Sequence, residues 1–279
     1  MLYFVFTVDG DWDEYFNIKL PEVKRAPNLQ KILKLVDKEI NFASKMLKGK
    51  FIHFVHTSPR ARDFFLRPEF VSLWEKIERK GGNIGVHCHE DDPHRAYYFK
   101  DPFRMEESIN FFSNALKRVG LVPVAYRGGY MAFSPKTIPI LESNDIFLDF
   151  SCEPGRYLIH GNNLLVSDWR GAPETHYRLS YTDHRKPGQS RAFEIPVGSY
   201  NGKHLYPECF SILQMWGVAR RLKKRARKED VVVSVLAHTF EFANPWRVLK
   251  IRFLLSILKL YGKFVNAGGV LAVVRPKQL

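Results

Sequence analysis

The stretch Tyr3-Phe4-Val5-Phe6-Thr7-Val8-Asp9-Gly10-Asp11-Trp12-Asp13 runs from strand formers into three carboxylates within five residues. An ionised carboxylate needs water, a cation or a hydrogen-bonding partner, so a buried strand cannot carry such charge along its middle. The acids therefore mark the strand's carboxyl end, where α/β folds put their sites. Gly10 lets the backbone bend between two acids. Asp9 and Asp11 can then face one centre, one ligating a metal and the other acting as a base. Taken alone, the same residues also read as a polar turn with an Asp capping the next element. The remainder of the chain decides between the two.

Outward from that stretch, strands and helices alternate. Leu2 to Val8, Phe51 to Val55, Ile84 to His87, Pro123 to Tyr126, Ile146 to Phe150, Val231 to Ala237 and Gly269 to Val274 read as strands. Asn28 to Leu47 carries apolar residues at 29, 32, 33, 36 and 40, a helical stripe. Pro68 to Lys80, Met105 to Val119, Pro135 to Ser143, Glu208 to Lys228 and Trp246 to Asn266 read as further helices. Between residues 152 and 200 the pattern loosens into hairpin-like pieces rich in Gly, Pro and charge. Seven β/α units in this order predict an α/β fold, a parallel barrel or a related layer, as a single domain over 1–279.

Composition fits that reading. With 279 residues, 45% hydrophobic and 14% aromatic, the chain can build a large core, which excludes a disordered protein. The formal charge of +14 predicts attraction to phosphates or to an anionic membrane surface. Cys88, Cys152 and Cys209 are scattered and form no CxxC, so a reducing compartment is expected. No signal peptide and no apolar run of bilayer-spanning length is evident. A cytoplasmic location is expected, with the inner face of the membrane as an alternative.

The second informative stretch is Gly85-Val86-His87-Cys88-His89-Glu90-Asp91-Asp92-Pro93-His94. Imidazoles and carboxylates packed behind a strand are metal-ligand chemistry. If the strand continues, His87 and His89 share a face. If the chain turns helically, His87 meets Asp91. Three more strand ends are polar: Arg127-Gly128-Gly129-Tyr130, Asp149-Phe150-Ser151 and His238-Thr239-Phe240-Glu241. One polar loop is ordinary; five at successive strand ends form a pattern.

In order and content these motifs resemble the polysaccharide deacetylases of carbohydrate esterase family 4, the NodB-homology domain. The resemblance spans Phe6 to His238 and implies a distorted (β/α)7 barrel, here with a hairpin-rich insertion around residues 152–200. It implies Asp9 as catalytic base, Asp11 and His87 as metal ligands, and His238 as catalytic acid. It further implies Arg127 orienting the base and the Tyr130 amide serving the oxyanion. Two positions depart from the family pattern. Asp91 stands where the second motif has its second His, and Gly129 stands where the third motif has Pro. Register favours Asp91 as third ligand and imidazole chemistry favours His89, so both are candidates. Substrate contacts are expected from Trp12, Asp149, Trp169 and Glu241.

The activity so implied is metal-dependent removal of an N-acetyl group from an amino sugar, on a polysaccharide or a nucleotide- or lipid-linked sugar. Zinc is expected, with Mn, Co and Ni as alternatives. Other readings are a metal-free amidase, an inactive carbohydrate-binding relative and a basic nucleic-acid-binding protein; against the last, the cations are dispersed and no nucleic-acid motif appears. The run Arg220 to Lys228 reads as a solvated helix end. The apolar, basic helix from Trp246 is expected to cover the barrel, although such a helix also suits the surface of an anionic membrane. A phosphate-bearing or membrane-presented substrate, with peripheral membrane association, is therefore the expected partner.

Overall fold

A computed structural model describes residues 1–17, 19–59, 61–89, 101–160 and 164–275. Seven strands form the parallel path of a nine-stranded central sheet: β1 (Leu2–Asp9), β2 (Ile52–Thr57), β3 (Asn83–Cys88), β4 (Ala125–Gly128), β5 (Leu148–Asp149), β6 (Phe193–Glu194) and β7 (Val231–His238), with Tyr177–Arg178 antiparallel on β6 and Lys263–Phe264 on β1 as short additions. All six neighbouring pairs along the order β7-β1-β2-β3-β4-β5-β6 are parallel. The ring then closes beyond β6. Val197 bridges Ser234 of β7 in parallel, with Ser234 N donating to Pro196 O at 2.8 Å and Gly198 N to Ser234 O at 2.9 Å. The result is a seven-stranded barrel, distorted where β5 and β6 are only two residues long.

Strand alternation divides the core in two. Leu2, Phe4, Phe6 and Val8 of β1 face outward onto helix α1 (Leu29–Leu47) through Ile32, Leu35, Val36 and Ile40. Helices α2 (Pro68–Arg79), α3 (Pro102–Arg118), α4 (Thr137–Ser143), α5 (Ile212–Arg225) and α6 (Pro245–Tyr261) continue that outer layer. The barrel interior is a separate cluster containing Val5, Ile52, Phe54, Leu148, Phe150 and Phe193. The next inward residues up the strands are polar, so the interior changes from apolar to charged towards its carboxyl end.

Two expectations are corrected. The seventh strand is β6 with its extension to Val197, inside the stretch expected to hold only hairpins. The hairpins do exist on either side of it: Tyr157–His160 with Leu164–Asp168, and Ser199–Tyr200 with Lys203–His204. Gly269 to Val274, expected as a strand, lies in a helix, α7 (Ala267–Val274). Asn266 caps it, its side chain accepting from Gly269 N at 3.1 Å. Ala267, Val270 and Val274 recur at helical spacing and plug the amino-terminal mouth of the barrel. Burial of that stripe outweighs the β preference of the valines. The preceding Lys263–Phe264 pairs with Tyr3 and Phe4, which ends α6 earlier than the expected Asn266.

A strand would place Val270 and Ala272 on one side; a helix buries the first and exposes the second. Val270→Asp should therefore cost about 3 kcal/mol or more through a buried unpaired charge. Ala272→Asp should stay within about 0.5 kcal/mol in chemical denaturation. Equal destabilisation by both would restore the strand.

Candidate active site

Parallel register assembles the site. Asp9 pairs with His238, His56 with His87, and His87 with Arg127. All five side chains leave the same end of the barrel, on its inner side. Asp9, His87 and His238 open into a cleft of about 360 Å³, of the size usual for small-molecule sites at roughly 300–1,000 Å³, with His56 and Arg127 buried behind them.

Arg127 is fully buried and completely answered. Its Nη1 donates to Asp9 Oδ1 at 2.5 Å, Nη2 to Thr7 Oγ1 at 3.0 Å and Nε to Phe150 O at 2.9 Å. The guanidinium lies 4.6 Å from the Phe54 ring. One oxygen of Asp9 is thus occupied, and Oδ2 turns to the cleft, 3.8 Å from His87 Nε2 and 4.0 Å from His238 Nε2.

Beside it Asp11, His87 and His89 converge. His87 Nε2 lies 3.1 Å from His89 Nε2 and 3.4 Å from Asp11 Oδ2, and His89 Nε2 lies 3.6 Å from Asp11 Oδ1. Ligands ~2.0–2.1 Å from a tetrahedral ion sit about 3.4 Å from one another, and these separations are close to that, with His87 nearest Asp11 Oδ2 and His89 nearest Asp11 Oδ1. His87 Nδ1–H donates to Arg127 O at 3.0 Å, which leaves the Nε2 lone pair for the ion. Burial opposes ionisation of Asp11. The His87 and His89 rings and the hydrogen bonds from His56 and His87 nevertheless hold its carboxyl well below the usual range.

Gly129 provides a second fit test. A Cβ there would lie 2.6 Å from the His89 ring. The residue that departs from the expected Pro is therefore the one that admits the His89 imidazole. Asp91 lies outside the described residues.

Sequence reasoning passed over His56, because its strand was read as ending at Val55. It is the next-to-last residue of β2, as His87 is of β3, and that position was the available signal. Burial lowers its pKa to about 4, so the ring is neutral. Its Nδ1–H donates to Asp11 Oδ1 at 2.8 Å, and its ring stacks on His89 at 4.8 Å; Asp11, His56 and His89 also lie close enough together to share an ion. His56 thus orients Asp11 and His89 from behind.

His238 faces the cleft with Nε2 and points Nδ1 backwards, 3.4 Å from Glu208 Oε2 and 3.3 Å from Tyr206 OH. Burial works against the charged ring. The Glu208 hydrogen bond and the charges of Asp9, Asp11 and Glu241 win, and its pKa rises above 6.5. Glu208 moves the opposite way, as a true pair requires. Glu208 and Tyr206 arrive from the segment before α5, which nothing in the sequence tied to the strand ends.

Tyr130 lines the cleft, at a left-handed turn with φ 54° followed by Met131 at φ 61°. Non-glycine residues adopt this conformation rarely, and two in succession aim the loop into the site.

The four expected substrate contacts, Trp12, Asp149, Trp169 and Glu241, all sit behind the cleft wall. Each is buried and holds other groups in place. Trp12 Nε1 donates to Arg25 O, and its ring packs 4.7 Å from His56. Asp149 accepts from Ser151 Oγ at 2.6 Å, and Ser151 in turn accepts from Gly128 N. Asp149 faces Glu194 on the outer side of the barrel, where burial and the neighbouring charge push Glu194 well above its usual range. Trp169 Nε1 donates to Met131 O at 2.7 Å. Glu241 accepts from His238 N at 2.9 Å. The cleft walls are instead formed by residues including Asp13, Phe16, Glu153, Arg156, Tyr206 and Arg247.

No protein-family model matches the sequence, and comparison with curated proteins gave no match. Solved structures do resemble it. A candidate polysaccharide deacetylase from Mycobacterium smegmatis superposes with a TM-score of 0.65 at 16% identity, over 100% of this chain and 91% of that one. Another, from Pseudomonas aeruginosa PAO1, gives 0.61 at 11% identity, over 99% and 92%. The allantoinase Puue gives 0.56 at 11%, over 98% and 91%. At these identities the likeness is one of fold. The curled, parallel-rich sheet resembles that of the polysaccharide deacetylases of carbohydrate esterase family 4.

Two measurements check the site. Gly129→Ala should displace the His89 ring and weaken divalent-metal binding about 10–100-fold, the range for supporting-shell changes; unchanged affinity by competition titration would remove His89 from the ligand set. Glu208→Gln should lower the His238 pKa, so that the ring deprotonates at lower pH in a histidine-resolved NMR titration. An unmoved midpoint would mean that Glu208 does not set the charge of the ring.

Proposed function

We propose that this chain hydrolyses the N-acetyl group of an amino sugar with the help of a divalent metal, releasing acetate and the free amine. The observation that carries this reading is the convergence on one cleft of Asp11, His87 and His89, of the Arg127-held Asp9, and of the Glu208-backed His238. The likeness in fold to proteins described as polysaccharide deacetylases supports the same reaction class. Two imidazoles and a carboxylate suit zinc, and the same donors also hold Mn, Co or Ni.

A metal held by Asp11, His87 and His89 would supply Lewis acidity. Asp9 Oδ2 takes a proton from the attacking water, while Arg127 keeps the other oxygen fixed. The Tyr130 amide is assigned to the oxygen on which charge develops. His238 Nε2 gives a proton to the departing amine, and the upward shift of its pKa favours the protonated ring that this role needs. The cations lining the cleft are already answered, Arg156 by Glu153 and Arg247 by Glu208. This argues that the anionic part of a phosphate-bearing or membrane-presented carrier is met outside the cleft.

Acetate release from N-acetylglucosamine oligomers and from lipid- and nucleotide-linked N-acetyl sugars tests the reading. Asp9→Asn should keep fold and metal and lower kcat by about 10²–10⁴-fold. Stripping with a chelator should abolish turnover and zinc should restore it. Full turnover by the stripped protein would point to a metal-free amidase instead.

A further inference from the structure

Helix α6 is apolar on two sides. Its inner stripe of Ile251, Leu254, Leu255 and Leu258 is buried against the barrel layer, as the sequence led us to expect. Its outer stripe is Trp246, Leu249, Phe253 and Leu260, exposed by 79, 50, 55 and 81%. Intervals of three, four and seven residues put these four on one face. Single exposed apolar residues are ordinary on a protein surface, but four large ones in a row are not.

The charge around this stripe has one sign. Neither α6 nor the adjacent α5 contains an acidic residue. Arg252 and Lys259 edge the stripe, and Lys223 and Lys224 stand exposed near the end of α5. Beside the stripe, between α6 and α1, lies a groove of about 500 Å³. Phe42, Phe242, Val248 and Leu249 line it, with Lys38, Lys45 and Arg252 also on its walls.

We propose that this face is a docking surface that seats the protein on an anionic lipid bilayer. Trp and Phe suit the headgroup layer, and flanking Lys and Arg are drawn to acidic headgroups. A second copy of the chain fits less well, because a symmetric contact would set this basic face against itself. The surface also runs into the cleft. Ala243 and Pro245 line the groove and also a shallow pocket, whose other walls Asp13, Phe240 and Arg247 line the cleft. Trp246 directly precedes Arg247, so a docked molecule opens its cleft at headgroup level. The inference does not depend on the reaction proposed above.

Vesicle co-sedimentation of the full chain tests it. Vesicles of phosphatidylcholine with about 30% phosphatidylglycerol should carry the protein down, vesicles of phosphatidylcholine alone should carry little, and salt should weaken the binding. The triple change Trp246→Ser, Phe253→Ser, Leu260→Ser should lower partitioning at least about tenfold without altering thermal unfolding. Arg252→Glu with Lys45→Glu should lower it independently through charge. Wild-type protein that stays in solution, or variants that sediment as wild type, would overturn the proposal. So would a dimer abolished by the triple change in a protein that ignores both vesicles.

Discussion

A guanidinium without solvent, inside a ring of aromatic side chains, is the constraint on which the site rests. Stripping such an ion of water costs several kcal/mol unless its donors are answered. Arg127 meets that demand with Asp9 and Thr7 of β1 and the Phe150 carbonyl just past β5. Its own carbonyl receives the His87 proton. One residue thus fixes which oxygen of Asp9 stays free and which nitrogen of His87 carries the proton. Neither can move without leaving a buried charge or a buried N–H unmatched.

Around that centre the molecule keeps two populations of polar groups apart. The inward set reaches the cleft. The outward set, Asp149 with Ser151, Trp169 and Glu241, grips the backbone of the loops that carry Gly128, Met131 and His238. The same strand alternation that separates the apolar interior from the helical layer separates functional side chains from those that position them. Asp149 and Phe150 are adjacent in sequence yet lie on opposite sides of the barrel wall.

What the sequence disclosed follows from contrast. Asp9, His87, Arg127 and His238 stand out because each interrupts or ends an apolar strand. His56 does the same, but only once β2 is extended past Val55. The closing segment from Phe193 to Val197 was hidden because it is short, contains Pro196 and lies among turn-rich pieces. Val270 and Val274 suggested a strand because local preference says nothing about the barrel mouth they fill. Glu208 and Tyr206 reach His238 only through tertiary approach, which no local spacing encodes. The two departures at 91 and 129 looked like separate losses. In three dimensions the missing Cβ of Gly129 is the space His89 occupies, so one departure accommodates an alternative to the other.

The closure of β1 against β7 also sets when this protein can fold. Thr7 hydrogen-bonds to Val235, 228 residues away, and at a synthesis rate of ~5–20 residues per second that partner follows roughly ten to fifty seconds later. Until then the first strand, the most apolar segment near the amino terminus, has an unpaired edge on that side. Such an edge recruits wrong partners, other nascent chains included. Non-local pairing of this kind also slows the search once the chain is free. The strand that carries Asp9 is therefore made long before the partner that encloses it, and the chain depends on protection of that edge during synthesis more than a locally folding helical protein would.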